Sequence, residues 1–233
     1  MKYNIHITSI VKLTRHENLN RVVVIPFICL FVFGSCTQNP PNKIVKIILP
    51  DTAVTHRAID RNYIKIQSLR KYLNLKKLQN GVDSFELRFY ESGMWTPSSL
   101  YIIKNEDSTW ICSEYYIWEN YPPSSIYEDF NERIKHVYVD SIEVRNINLG
   151  NDWNSFIDSL TYFDFPNMIS QEEIPNFTDI VNDGEIYSFE VADKNQYRYF
   201  FYHAPRYYKD SSNEKATQLV NYLYRLFGRH RKY

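Results

Sequence analysis

The groups able to do chemistry in this 233-residue chain are three cysteines, six histidines, 27 carboxylates and 20 tyrosines. Their spacing matches none of the arrangements that metal or nucleophilic chemistry requires. His56, His136, His203 and His230 lie far apart, and no HExxH or CxxC segment brings two ligands onto one helical face or one loop. A G-x-S-x-G elbow, a Walker loop and a G-x-G-x-x-G turn are absent, and six glycines leave little backbone for cradling phosphate. Linear order does not say which two carboxylates converge, so a glycosidase-like pair has no support in the sequence. No catalytic residue, metal or cofactor is therefore expected, and the reading leans away from an enzyme and towards non-catalytic binding or scaffolding. An envelope hydrolase whose acid and base come from distant strands is the competing expectation.

Two other clusters bear on binding. Residues 197–203 (YRYFFYH) put aromatic side chains on both faces of one strand. Either both faces are covered by protein, or Tyr197, Tyr199, Phe201 and His203 form an exposed platform on which a sugar ring stacks. Arg225, Arg229, His230, Arg231 and Lys232 gather positive charge at the last helix. That suits the helix dipole and a solvated end, or attraction to anionic lipid headgroups.

Composition sets the class. With 44% hydrophobic and 16% aromatic residues the chain is far from a solvating, disordered composition, and three cysteines exclude a disulfide scaffold. No run reaches the roughly 18 apolar residues of a membrane-spanning helix. The N-terminus is distinctive. Lys2, Lys12, Arg15 and Arg21 against Glu17 precede an uncharged run at 22–33 (VVVIPFICLFVF), and Gly34-Ser35-Cys36 follows. A basic segment, a short apolar segment and small residues before a cut make a secretory signal. A buried strand and a permanent single-span anchor are the alternatives. Pro26 and the shortness of the run count against the anchor.

Phe33-Gly34-Ser35-Cys36 resembles the lipobox of bacterial lipoproteins, which implies a signal peptide over 1–35 and acylation of Cys36, with palmitate among the chains. Phe33 stands where leucine is usual, and the segment before the apolar run is long. Residues 36–43 then form the lipidated cysteine and a polar, proline-stiffened tether, and 44–233 a single domain. Cleavage takes four basic residues and one acid from the 27 of each, leaving 23 against 26, and nothing in that balance suggests nucleic acid. The Asn-, Ile-, Lys- and Tyr-rich composition together with the lipobox resembles exported lipoproteins of Bacteroidota-type bacteria. The C-terminal part is similar to uncharacterised lipoproteins of that group in its Trp153-led helix, Asp183-Gly184 turn, paired Tyr-rich strands over 185–203, Ala204-Pro205 break and final amphipathic helix over 213–227. The resemblance implies a lipid anchor in the cell envelope, with partners among membrane lipid, another envelope protein or a glycan. Residues 37–42 carry no acidic run, so the outer membrane facing the periplasm is the expected location. Four Asp-Ser/Thr-apolar triplets, beginning at Asp51, Asp107, Asp140 and Asp158, also resemble the O-glycosylation acceptor of that group, and Thr52 is the best-placed candidate.

The elements that must position any site follow from periodicity. Residues 44–49 read as a short strand. Ile59, Tyr63, Ile66, Leu69 and Leu73 predict a helix over 57–78, ended by Asn80-Gly81. Phe85, Leu87 and Phe89 alternate as a strand. Residues 100–104 and 109–118 predict a hairpin around 105–108, and Val137, Val139 and later Ile142, Val144 another strand. Trp153, Phe156, Ile157 and Leu160 predict a helix capped by Asn151 or Asp152 and stopped by Phe165-Pro166. A long loop over 166–183 leads to strands before and after Asp193-Lys194-Asn195. Ser211-x-x-Glu214 reads as a capping box for the last helix, and Gly228 as its C-terminal cap. The order predicts an α+β domain, a mostly antiparallel sheet with about three helices packed on one face.

Overall fold

Apolar side chains occur at both parities along the central strands, so the sheet needs cover on both faces. The structure, a computed structural model, describes residues 46–49, 58–93, 97–126, 129–149, 153–178 and 180–229, all within the unit Asn42–Tyr233. Its strands are β1 (Lys46–Ile48), β2 (Phe85–Ser92), β3 (Ser98–Glu106), β4 (Thr109–Asn120), β5 (Tyr138–Ile147), β6 (Ile186–Asp193) and β7 (Gln196–His203). Its α-helices are α1 (Ala58–Tyr72), α2 (Phe130–Lys135), α3 (Trp153–Tyr162) and α4 (Ser211–Leu226). One sheet runs in the order β1-β7-β6-β2-β3-β4-β5, and only β1 and β7 pair in parallel. The fold class is α+β, with a mostly antiparallel sheet.

The helices do not all lie on one face. Leu87, Phe89, Tyr101, Ile103, Phe189, Phe200 and Tyr202 point to a core closed by α3 and α4 through Phe156, Leu160, Leu219, Leu223 and Phe227. The alternate residues Tyr90, Leu100, Ile102, Tyr197, Tyr199 and Phe201 point to a second core closed by α1 through Ile66 and Leu69. The physical reason is the parity itself: β2, β3 and β7 each carry large apolar side chains at consecutive positions, so neither face tolerates water. The short helix α2, which hydrophobic spacing does not reveal, packs beside α1 and buries Ile134.

Two boundaries differ from expectation for identifiable reasons. α1 ends at Tyr72 because Asn74 takes the left-handed conformation (φ 53°), with Leu75 N–H donating to Arg70 O and Asn74 N–H to Lys71 O. The remaining residues form a separate 3₁₀ turn, Leu78–Asn80, that buries Leu78. α4 is capped by Asp210, whose carboxylate accepts from the Ser212 and Asn213 N–H groups, so Ser211 is its first helical residue. Its far end closes as expected: Gly228 at φ 67° allows Gly228 N–H to reach Arg225 O and Arg229 N–H to reach Tyr224 O.

Loops guard one sheet edge. β1 covers only the first half of β7, and the loop after α3 covers the second half. There Ser170 Oγ accepts from Phe201 N–H, and the Gln171 amide both accepts from His203 N–H and donates to His203 O. The Arg198 guanidinium donates to the carbonyls of Pro166 and Met168. At the opposite edge, a register shift between Trp118 and Glu119 leaves Asp140 as an extra residue in β5. This bulge explains the change of parity from Val137 and Val139 to Ile142 and Val144: Val137 and Val139 join the α1-side core, and Ile142 and Val144 pair with Ile117 and Tyr115 of that same core.

Two measurements test this construction. A Cβ at Gly184 would stand 2.6 Å from the Ala204 Cβ, so Gly184→Ala is expected to cost roughly 1–3 kcal/mol in urea unfolding. Burial works against ionisation of Asp210, but the Asn213 side-chain amide and the Asn213 and Ser212 N–H groups outweigh it and hold the carboxyl below its ordinary value. A depressed carboxyl contributes stability above its unfolded value and loses it as pH falls through the folded one. Asp210→Ala is therefore expected to cost about 1 kcal/mol at neutral pH, with the two unfolding curves converging in acid.

Candidate functional site

A cleft of about 290 Å³, lined by Glu114, Tyr116, Glu143, Arg145 and Arg229, opens on the α4 side of the sheet just past the end of that helix. Register builds its floor as two rows. Tyr101, Glu114 and Arg145 lie side by side on β3, β4 and β5, and Glu91, Ser99, Tyr116 and Glu143 form the next row across β2 to β5. Period-two geometry puts all of them on one face. The Gly228 turn delivers the last component, folding Arg229 back over both rows. Its guanidinium sits 3.1 Å from Glu91 Oε2, 2.8 Å from Ser99 Oγ and 2.8 Å from Glu114 Oε1, with its carbon 5.4 Å from the Tyr101 ring centre. Phe227 stacks on Tyr101 at 4.1 Å and fixes the approach.

The charges in this cleft are largely matched inside it. Glu114 is held by Arg145 and Arg229, and Glu91 by Arg229 and the Tyr224 hydroxyl. Burial opposes the charge on Arg229, but Tyr101, Glu114 and Glu91 outweigh it and raise its pKa. Burial likewise pushes the Tyr101 phenol above its ordinary value, with Arg229 pulling the other way. Glu143 stands exposed at the rim, beside Tyr116, which makes an edge-on contact of 4.6 Å with the partly exposed Trp118. The outcome is planar hydrogen-bonding groups next to an aromatic pair.

A second polar cluster lies beneath α1. Arg88 Nε donates to Glu86 (2.7 Å) and Arg88 Nη2 to Lys76 O (2.8 Å), while Glu190 accepts from Tyr197 OH (2.8 Å) and Gln67 (2.9 Å). Burial raises the Glu190 carboxyl above its ordinary value, opposed by Arg88. Nearby, Glu119 pairs with Lys65 and accepts from Ser98 Oγ at 2.8 Å. The cavity at Arg88 and Glu190 measures only about 10 Å³, too little for a ligand, so this cluster satisfies buried polar groups rather than forming a site.

The proposed stacking platform is not available for binding. Tyr197, Tyr199 and Phe201 are 0–2% exposed, because α1 lies over them and Tyr63 meets the Tyr199 ring at 4.9 Å. His203 is half-buried at the strand end, its backbone clasped by Gln171. Cys36, the Phe33-Gly34-Ser35 segment before it and Thr52 lie outside the described residues. Of the other triplets, Ser108 is exposed in the β3–β4 turn and Ser141 on β5, whereas Ser159 bonds back to Ser155 O within α3. Cys112 is buried against the α3 and α4 core, and burial pushes its thiol up to about 12. Among the described residues no group of three or more His, Cys, Asp or Glu side chains is placed to hold a metal ion, and no helix is long and apolar enough to cross a membrane.

Sequence reasoning missed the cleft because its members come from five elements, and only Arg229 stood in a segment already singled out. The available signal was alternation: Glu114, Tyr116 and Trp118 share one parity of a single strand. No family model, curated protein or solved structure matches the chain.

The Gly228 turn makes a sharp contrast testable. Arg229→Gln would leave Glu91 and Glu114 short of a counter-charge and is expected to cost roughly 1–3 kcal/mol in urea unfolding. Arg225→Gln, on the exposed side of the same helix end, is expected to stay within about 0.5 kcal/mol.

Proposed function

We propose that the chain is a lipid-anchored cell-envelope protein of Bacteroidota type whose α+β domain binds a glycan without transforming it. The anchor rests on Phe33-Gly34-Ser35-Cys36 after a basic and then apolar segment, and the lack of an acidic run at 37–42 supports a location at the outer membrane facing the periplasm. The binding role rests on one observation: the carboxylates inside the cleft are tied to Arg145 and Arg229, next to a partly exposed Tyr116–Trp118 pair. Acid catalysis needs a carboxyl that keeps its proton, and Glu190, which burial pushes in that direction, lies outside the cleft and 2% exposed. Matched ion pairs instead present fixed donors and acceptors to hydroxyl groups, while Trp118 offers an apolar face to a sugar ring. A hydrolase is the second reading, favoured by Glu114 and Glu143 lining one cleft, with Glu91 joined to it through Arg229.

Affinity electrophoresis through a panel of soluble polysaccharides, with reducing ends assayed in parallel, separates the two. Retardation by a polysaccharide, weakened roughly tenfold by Trp118→Ala and without new reducing ends, is the expected result. Reducing ends that appear with wild type and vanish with Glu114→Gln would establish the hydrolase instead. Palmitate labelling and membrane fractionation of wild type beside Cys36→Ala checks the anchor, and loss of label and membrane retention together is expected in the variant.

A further inference from the structure

The two edges of the sheet are treated differently. The β7 edge is closed by β1 and by Ser170 and Gln171, whereas β5 ends the strand order with no described element along its outer side. Edge strands expose a row of unpaired N–H and C=O groups, and proteins blunt them with proline, charged side chains, bulges or brevity; the bulge of β5 lies at Asp140, before the regular segment 141–147. β5 has ten residues, neither proline nor lysine, and near-continuous exposure from Asp140 to Asn146, including Val144 at 54%.

We propose that two copies of this chain pair antiparallel through residues 141–147 of β5, making one fourteen-stranded sheet about a two-fold axis at Val144. The bulge sets the limits. Regular pairing with β4 runs from Ser141, next to the extra residue Asp140, to Ile147, and the centre of that segment is Val144. An isologous antiparallel pair with its axis normal to the sheet places residues equally distant from the centre opposite one another. Centred on Val144, it sets Glu143 against Arg145 of the second copy twice, Val144 against itself and Ile142 against Asn146. Centred one residue earlier it would oppose Glu143 to Glu143, and one residue later Arg145 to Arg145. Like charges directly opposite are unfavourable, so charge selects the same register that the bulge permits. Glu143 and Arg145 also line the cleft, so each copy extends the wall of the other's site and Arg145 bridges Glu114 of its own chain and Glu143 of the second.

Sedimentation equilibrium of the full chain in density-matched detergent tests this. Wild type is expected to be a dimer, and Glu143→Lys and Arg145→Glu are each expected to weaken it by roughly tenfold or more. Mixing the two variants restores association, because a doubly basic strand then faces a doubly acidic one. Val144→Asp sets two carboxylates together at the axis, on a site exposed in the single chain, and is expected to be monomeric. It serves if Arg145→Glu fails to fold beside Glu114. A wild type that stays monomeric over the accessible concentrations overturns the proposal, as does a dimer indifferent to Glu143→Lys and Val144→Asp.

Discussion

The absence of a solvent face along the middle of the sheet governs this molecule. β2, β3 and β7 carry large apolar side chains at both parities, so helices must cover both sides, and every charge on the middle strands must find a partner within the protein. Glu86, Arg88 and Glu190 do so under α1, and Arg198 does so by donating to the carbonyls of Pro166 and Met168. Beyond the end of α4, among the described residues, no helix covers the α4 side of β4 and β5 around Tyr116 and Glu143, and the cleft opens there beside Arg229.

A helix terminus links core and cleft. The stripe of α4 buries Ala216, Leu219, Leu223 and Phe227, the Phe227 ring stacks on Tyr101, and the left-handed Gly228 reverses the chain so that Arg229 lies over the same tyrosine. A solvated tail would leave Glu91 and Glu114 facing one another across Ser99 without this cation. The basic cluster noted in the sequence thus divides, with Arg225 exposed and Arg229 half-buried in a site. Charge in the cleft is matched by design of the backbone, and the exposed groups at its rim are what remain for a ligand or a second chain.

Much of the fold was legible because period-two and helical spacing are local properties. The strands, the α3 and α4 stripes, the 105–108 turn and Gly228 were all readable, and Asp107 and Ser108 take the left-handed conformations a two-residue hairpin turn demands. α2 was not, because a six-residue helix spans fewer than two turns and leaves no period to detect; among its described side chains Ile134 is buried. The odd-to-even change between Val139 and Ile142 was visible as a pattern. Its cause, the bulge at Asp140, exists only in the pairing with β4.

The sequence by itself determined the α+β class and the order of the strands and α-helices other than α2, since these depend on neighbours in the chain. Only the tertiary structure decided which aromatics were core and which could meet a ligand. Tyr197, Tyr199 and Phe201 look as available as Tyr116 and Trp118 until α1 buries the first set, while Trp118 stays 39% exposed and Tyr116 half-buried under Arg229. Burial is a property of what comes to rest on a face, and that is fixed by contacts between residues more than a hundred positions apart.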